Sequence, residues 1–153
     1  MLLSCIATRA EAQIDLSRAS VERLDNGLTL IMLEDRTFPV VSIQTTYRTG
    51  AKDDPAGRLG LAHFFEHMAF RGSKNFPDLG LTNEIYAAGG EWHGYTWIDN
   101  TNYFATAPKA ELPLLLDIDA DRMARLDLRE EDIEAERGAV LAEMNGYAND
   151  PDS

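Results

Sequence analysis

The alternation of apolar and polar residues predicts extended strands in three regions of the chain. In the segment "VVSIQTTYRTG", every second residue is the more apolar one, which is typical of a half-buried strand. Upstream, Asn26-Gly27 lies between two apolar-rich runs and predicts a β-hairpin. Downstream, the segment "EWHGYTWIDNTNYFATAP" is rich in aromatic residues and threonine, and Asp99-Asn100 divides it into two predicted strands.

Four further segments have the composition and periodicity of helices. The first contains "LAHFFEHMAFRG", and the second, "LTNEIYAAGG", is stopped by Gly89-Gly90. The third has Pro113 in its first turns, and the fourth, "REEDIEAERGAVLAEMNGYAND", fades at Gly146. Strands, two helices, strands and two helices therefore follow one another. This order predicts an α+β fold with helices packed on one face of a mainly antiparallel sheet.

Charge and length narrow the class of protein. The chain has 153 residues, which is enough for one domain, and 26 acidic against 14 basic residues give a net charge of −12. Such a surface repels phosphate backbones and favours cationic partners such as basic peptides, so nucleic-acid binding is a poor hypothesis. No apolar run approaches the roughly 20 residues of a membrane-spanning helix. The single cysteine, Cys5, excludes an internal disulfide and a cysteine-based metal cluster.

The first residues resemble the remnant of an export signal. Ala10-Glu11-Ala12 has the small-residue pattern of a signal-peptidase site, although no basic region precedes it and the apolar run is short. A frayed N-terminus explains the same residues equally well. We expect residues 1–20 to be a leader or the remnant of an export signal, and the protein to be periplasmic or secreted.

The first predicted helix carries a candidate metal site. His63 and His67 lie four residues apart, so a helix places both imidazoles on one face, where they can bind one Zn²⁺. Glu66 reaches the edge of the same site and is the candidate general base toward a metal-activated water. We expect the neighbouring apolar residues to bury the helix and keep the site dry. These residues are Phe64, Phe65, Met68 and Phe70.

A catalytic zinc site normally takes a third protein ligand. Glu136 and Glu143 are two helical turns apart, so both point from one face of the last helix. The remaining histidine, His93, lies in an aromatic strand. Spacing alone favours either glutamate over His93 and leaves the choice between the two glutamates open.

At this point the chain resembles a known family, the pitrilysin/insulysin-type (M16) zinc metallopeptidases, which include the mitochondrial processing peptidases. His63-x-x-Glu66-His67 is the inverted zinc motif, and the resemblance runs from about Val21 to the end of the chain. It also includes six segments in the family's order. These are "LDNGLTLIMLED", "GLAHFFEHMAFRGS", "AAGGEWHGYTWIDNTNYFATAP", "DADRMARL", "ERGAVLAEM" and "NDPDS".

The resemblance implies roles for particular residues. It makes Glu143 the third ligand of one zinc ion per chain, Glu136 a supporting acid beside the site, and Glu66 the general base. It also implies that an extended peptide or unfolded polypeptide pairs with the edge strand Glu91 to Tyr95. Trp92, His93 and Gly94 are then the candidate substrate contacts. The family often has Asn-Ala where this chain has His93-Gly94.

The resemblance further implies the processing-peptidase fold in incomplete form. Residues 21–153 correspond to part of an N-terminal peptidase domain, whereas family members close two longer domains around a peptide. The expected function is that of a zinc metalloendopeptidase, with a C-terminal domain or a partner subunit helping to hold substrate. The alternatives are a catalytically silent binding or assembly subunit, of which the family has examples, and a truncated fragment of a larger two-domain peptidase with an exposed sheet edge.

Overall fold

The computed structural model describes residues 16–148 and divides the chain into two compact units, residues 1–38 and 39–153. Most of the predicted leader, including Cys5, and the final segment "NDPDS" lie outside the described residues. None of the helices between residues 16 and 148 has both the length and the apolar character needed to cross a bilayer.

The first unit contains a β-hairpin. Strand β1 (Ser20–Arg23) pairs antiparallel with strand β2 (Thr29–Met32). The turn is closed by the Leu24 N–H, which donates to the Leu28 carbonyl at 2.8 Å. Gly27 lies within it at φ +88°, a conformation that favours glycine. The hairpin predicted around Asn26-Gly27 is therefore confirmed.

The second unit is built on a three-stranded antiparallel sheet. Its strands are β3 (Val40–Tyr47), β4 (Glu91–Thr96) and β5 (Thr101–Pro108), in the order β3-β5-β4. Exposure alternates along β3 and β4, as the sequence pattern predicts. Among the described residues, β4 pairs only with β5, so one of its edges is unpaired.

The described part of this unit also contains four α-helices. They are α1 (Leu61–Arg71), α2 (Gly80–Ala87), α3 (Leu112–Arg125) and α4 (Glu130–Ala148). Helices α1, α2 and α3 pack on the sheet, and α4 packs principally on α1. The predicted α+β fold is confirmed. Helix α4 continues through Gly146, where the sequence predicted fading; this helix of 19 residues tolerates two exposed glycines, Gly138 and Gly146, at about 1 kcal/mol each relative to alanine.

The core lies between the sheet and helices α2 and α3. Its fully buried members come from α2, α3 and β5, and residues on the inner face of β3 and β4 pack against them. These members are Leu81, Ile85, Ala107, Leu115 and Ile118, with Val41, Ile43 and Trp92 beside them. Burying each of the leucine and isoleucine side chains in this set contributes about 1.5–3 kcal/mol.

Two carboxylates fix the ends of α1. The side chain of Asp54 accepts the backbone N–H groups of Gly60 and Ala62 at 2.6 and 2.8 Å, which satisfies the helix start. After the helix ends, the buried Asp121 of α3 accepts the Asn75 N–H at 2.9 Å and a bond from Arg125. Burial alone would raise the pKa of Asp121, but these hydrogen bonds lower that pKa below its ordinary value.

Candidate metal centre

Helix α1 directs both of its histidines to one point. The Nε2 atoms of His63 and His67 lie 3.2 Å apart, and the two ring planes are nearly perpendicular at 86°. The spacing of four residues on a 3.6-residue helix produces this arrangement. Helix α1 therefore presents two imidazole nitrogens as a ready-made pair of ligands.

Helix α4 adds a carboxylate to this pair. Oε2 of Glu143 lies 3.5 Å from His67 Nε2 and 3.8 Å from His63 Nε2. Among residues 16–148, these three side chains form the one group of His, Cys, Asp and Glu residues that is close enough to share a metal ion. Two atoms bound at about 2.0–2.1 Å by a tetrahedral zinc lie about 3.3–3.4 Å apart. The observed separations fit such an ion with shifts of a few tenths of an ångström.

Glu136 hydrogen-bonds to Nδ1 of His67, the ring nitrogen that does not face His63. Its Oε2 lies 2.7 Å from His67 Nδ1, and its Oε1 accepts a hydrogen bond from Arg71 Nε. The Glu136 residue is only 8% exposed, so its carboxylate has little access to water. A neutral imidazole that donates from Nδ1 keeps its Nε2 lone pair free for a metal. The geometry thus separates two glutamates that spacing could not: Glu143 faces the Nε2 atoms, and Glu136 supports His67 from behind.

The general-base candidate, Glu66, is a buried carboxylate with only 6% of its surface exposed. Its Oε2 accepts a hydrogen bond of 2.6 Å from the hydroxyl of Thr96, the last residue of β4. Sequence reasoning missed both Thr96 and Arg71. Arg71 was detectable, because it follows His67 by four residues on the same helix face. Nothing in the sequence indicated Thr96, whose contact depends on how β4 packs against α1.

The three candidate substrate contacts lie on β4, but they do not all face the same side of the sheet. Trp92 and Gly94 face α1, where the ring of Phe70 lies 3.9 Å from that of Trp92. A Cβ atom at position 94 would lie only 2.6 Å from Phe70 Cζ, so glycine permits this close approach. His93 points to the opposite, exposed face of the sheet, where it stacks on Phe104 at 5.4 Å. The structure therefore places His93 apart from the two histidines of α1.

The apolar residues of α1 are buried unevenly. Met68 is fully buried, and Phe64 and Phe70 are partly buried. The expectation for Phe65 was wrong, since this side chain is 46% exposed. It leaves the helix in a direction that the described elements do not fully cover.

Tyr103 on β5 lies beneath this helix, with its ring 5.7 Å from that of Phe70. Burial raises the pKa of Tyr103 well above its ordinary value; the Arg122 guanidinium over its ring opposes this shift, and the charge of Glu66 adds to it. Tyr103 therefore stays neutral at neutral pH.

Comparison with solved structures identifies the fold as that of known proteases. Pitrilysin is similar over 82% of this chain and 14% of its own, with a TM-score of 0.75 and 31% identity. The periplasmic protease PqqL from Escherichia coli is similar over 84% of this chain and 15% of its own, with a TM-score of 0.78 and 25% identity. The fold and the clustered histidines and glutamates together define a peptidase-type domain.

The chain belongs to the insulinase family, peptidase family M16, which matches residues 30–153. The mitochondrial-processing peptidase subunit beta of Bos taurus is 36% identical over 90% of the chain, and an uncharacterized zinc protease of Streptomyces coelicolor is 33% identical over 84%. Subunit 1 of the mitochondrial cytochrome b-c1 complex of Bos taurus is 30% identical over 90% of it. The chain spans 28% of the length of each of these three relatives.

Proposed function

We propose that this chain is the zinc-binding part of a metalloendopeptidase. The observation that carries the proposal is the convergence of His63, His67 and Glu143, whose ligand atoms lie 3.2, 3.5 and 3.8 Å apart. Two imidazoles and one carboxylate are a ligand set of catalytic zinc sites, which keep a further position open. One such group among residues 16–148 corresponds to one zinc ion in this part of the chain.

The residues around this group divide the work of peptide hydrolysis. Zinc, when bound, polarises a carbonyl and lowers the pKa of water to about 7. Glu66 is the general base, which takes the proton of the attacking water and passes it to the leaving amine. Glu136 and Arg71 hold His67 in the orientation that a ligand needs. The burial of Glu66 supports this assignment, because few bulk water molecules can reach its carboxylate and exchange protons with it.

The unpaired edge of β4 is the proposed binding site for substrate. Backbone groups along Glu91–Thr96 can add an extended peptide as a new antiparallel or parallel strand. Such pairing is made by hydrogen bonds to the peptide backbone. Trp92, His93 and Gly94 therefore position the peptide more than they select its side chains. Because the end of β4 contacts Glu66 through Thr96, a peptide on this edge runs past the proposed base.

The proposal of a partner rests on the small share of its relatives' length that the chain covers. The chain spans 28% of the processing-peptidase subunit and of the zinc protease, so we propose that a second domain or a partner subunit helps to hold the substrate. We propose that residues 1–20 are a leader or the remnant of an export signal and that residues 21–153 are part of a peptidase domain. A periplasmic or secreted location is supported by the leader-like segment and by the likeness to a periplasmic protease.

A second candidate function is that of a catalytically silent binding or assembly subunit. Its support is the 30% identity to a protein named as a subunit of the cytochrome b-c1 complex. The retention of His63, Glu66, His67 and Glu143 weighs against it, because a silent subunit has no need of these residues.

The test combines metal analysis with peptide cleavage. The purified chain should hold about one zinc per molecule and cleave an unstructured fluorogenic peptide, and Glu66→Gln should keep the zinc and abolish cleavage. Glu134→Gln is the matched control, since Glu134 lies on the exposed side of α4. Folded protein without zinc contradicts the site, and undiminished cleavage by Glu66→Gln removes the base. Zinc binding without cleavage by this chain is expected both of a silent subunit and of a peptidase that needs its second domain, so the cleavage assay is repeated on the chain joined to a second family domain, where absent cleavage favours the silent subunit.

A further inference from the structure

We propose that Thr96 is the residue that positions the general base, so that the strand proposed to receive substrate also sets the orientation of Glu66. This inference rests on the proposed function and deepens it. It starts from one contact, the 2.6 Å hydrogen bond from Thr96 Oγ1 to Glu66 Oε2.

The burial of Glu66 gives this contact its weight. A carboxylate that is only 6% exposed makes few hydrogen bonds to bulk water. The protein groups that hydrogen-bond to it therefore determine its orientation. Among residues 16–148, Thr96 is the residue whose side chain donates to it. With Oε2 held by Thr96, Oε1 is the oxygen left to accept a proton.

The hydroxyl of Thr96 is itself oriented by its neighbours. Thr101, which is opposite Thr96 in the β4–β5 register, donates its hydroxyl proton to the Thr49 carbonyl at 2.9 Å. The hydroxyls of Thr101 and Thr96 lie 3.3 Å apart. With the Thr101 proton on Thr49, the Thr101 oxygen and Glu66 both remain as acceptors for the single Thr96 proton, and the carboxylate oxygen at 2.6 Å is a nearer and stronger acceptor than the Thr101 hydroxyl at 3.3 Å. The Thr96 hydroxyl therefore donates to Glu66.

The consequence concerns the distance between base and substrate. Thr96 is the last residue of β4, and the proposed peptide pairs with the free edge of the same strand. One stretch of backbone therefore sets both the position of the peptide and that of the proton acceptor. Positioning of this kind contributes to the rate of the chemical step and little to the affinity for peptide.

The first arm of the test does not depend on turnover. Crystal structures of the chain with Thr96→Val and Thr96→Ser are compared with the unchanged chain. Valine keeps the shape and strand preference of threonine without its hydroxyl, so the Glu66 carboxylate should leave its single orientation in that variant and regain it with serine. A Glu66 carboxylate that stays in one unchanged orientation in Thr96→Val overturns the inference.

The second arm separates rate from affinity. In Thr96→Val, kcat should fall about 10- to 100-fold with KM within about twofold, and Thr96→Ser should recover most of the loss. Zinc content should match that of the unchanged chain. Thr46→Val is the control, because it removes another threonine hydrogen bond of the same sheet, to Asn102, on the opposite face.

Failure of the inference and failure of the proposed function are distinguishable. If the unchanged chain neither binds zinc nor cleaves peptide, the proposed function fails, and the crystal structures alone decide whether Thr96 positions Glu66. If the unchanged chain cleaves peptide and Thr96→Val has the same kcat, the function stands and the positioning role is refuted.

Discussion

Replacing Glu136 by glutamine should weaken zinc binding although Glu136 is not one of the proposed ligands. The carboxylate accepts bonds from His67 Nδ1, at 2.7 Å, and from Arg71 Nε, one on each oxygen. Glutamine has nearly the same shape but only one oxygen, so its amide NH₂ must face one of these two donors. Either His67 or Arg71 loses its hydrogen-bond acceptor, and in both cases the Arg71 guanidinium loses its counter-charge.

The magnitude follows from the burial of this group. Because Glu136 is 8% exposed, water replaces the lost contact poorly, and a hydrogen bond to a charged partner contributes about 1.5–3 kcal/mol. Loss of a supporting carboxylate behind a ligating histidine typically costs 10- to 100-fold in metal affinity. We expect the zinc Kd to rise by that factor, which corresponds to about 1.4–2.7 kcal/mol.

The assay is a competition titration against a chromophoric zinc chelator at fixed pH. Glu134→Gln is the control: it makes the same chemical change two residues away on α4, at an exposed side chain that is 3.8 Å from Arg137. Its zinc Kd should stay within about twofold of that of the unchanged chain. An unaltered Kd in Glu136→Gln, or an equal rise in both variants, would refute the supporting role.

Three further predictions concern a ligand, a close contact and a buried carboxylate. Glu143→Gln should raise the zinc Kd more than Glu136→Gln does in the same titration, since it removes a proposed ligand; the reverse order would exchange their roles. Gly94→Ala should destabilise the chain by about 1–3 kcal/mol in urea unfolding, because its Cβ meets Phe70, and adding Phe70→Leu should recover part of this loss; additive losses would contradict the contact. Asp121 has a folded-state pKa below its unfolded value of about 3.9, so its stabilisation is present above that pH and is lost as the pH falls through the lower folded pKa. With a chelator present, the difference in free energy of unfolding between the unchanged chain and Asp121→Asn should therefore narrow between about pH 5 and pH 2, and a constant difference would show that Asp121 does not titrate with folding.

Local patterns were sufficient for the elements of the fold. The alternation in Val40–Tyr47 depends only on the two-residue period of a strand, and the turn at Asp99-Asn100 only on turn chemistry. Helix α1 needs only its periodicity to bring His63 and His67 to one face. Each of these properties is set by residues within a few positions of one another, so one sequence determines them without knowledge of the rest of the chain.

Contacts between distant elements were beyond such patterns. Both Glu136 and Glu143 project from the same side of α4; spacing left the choice between them open, the family resemblance favoured Glu143, and the placement of α4 against α1 shows that Glu143 reaches the two Nε2 atoms. The same holds for Thr96, which meets Glu66 because β4 packs on α1.

The sequence by itself determined the strands, the helices and the pair of imidazoles, because 2.0- and 3.6-residue periods are local. The tertiary structure decided which acid faces the two Nε2 atoms, which acid contacts His67 Nδ1 and which residue contacts the Glu66 carboxylate. It also decided that Phe65 is exposed, against its apolar character. These outcomes depend on the rotation and translation of packed elements, which are set by the whole core and not by any single segment.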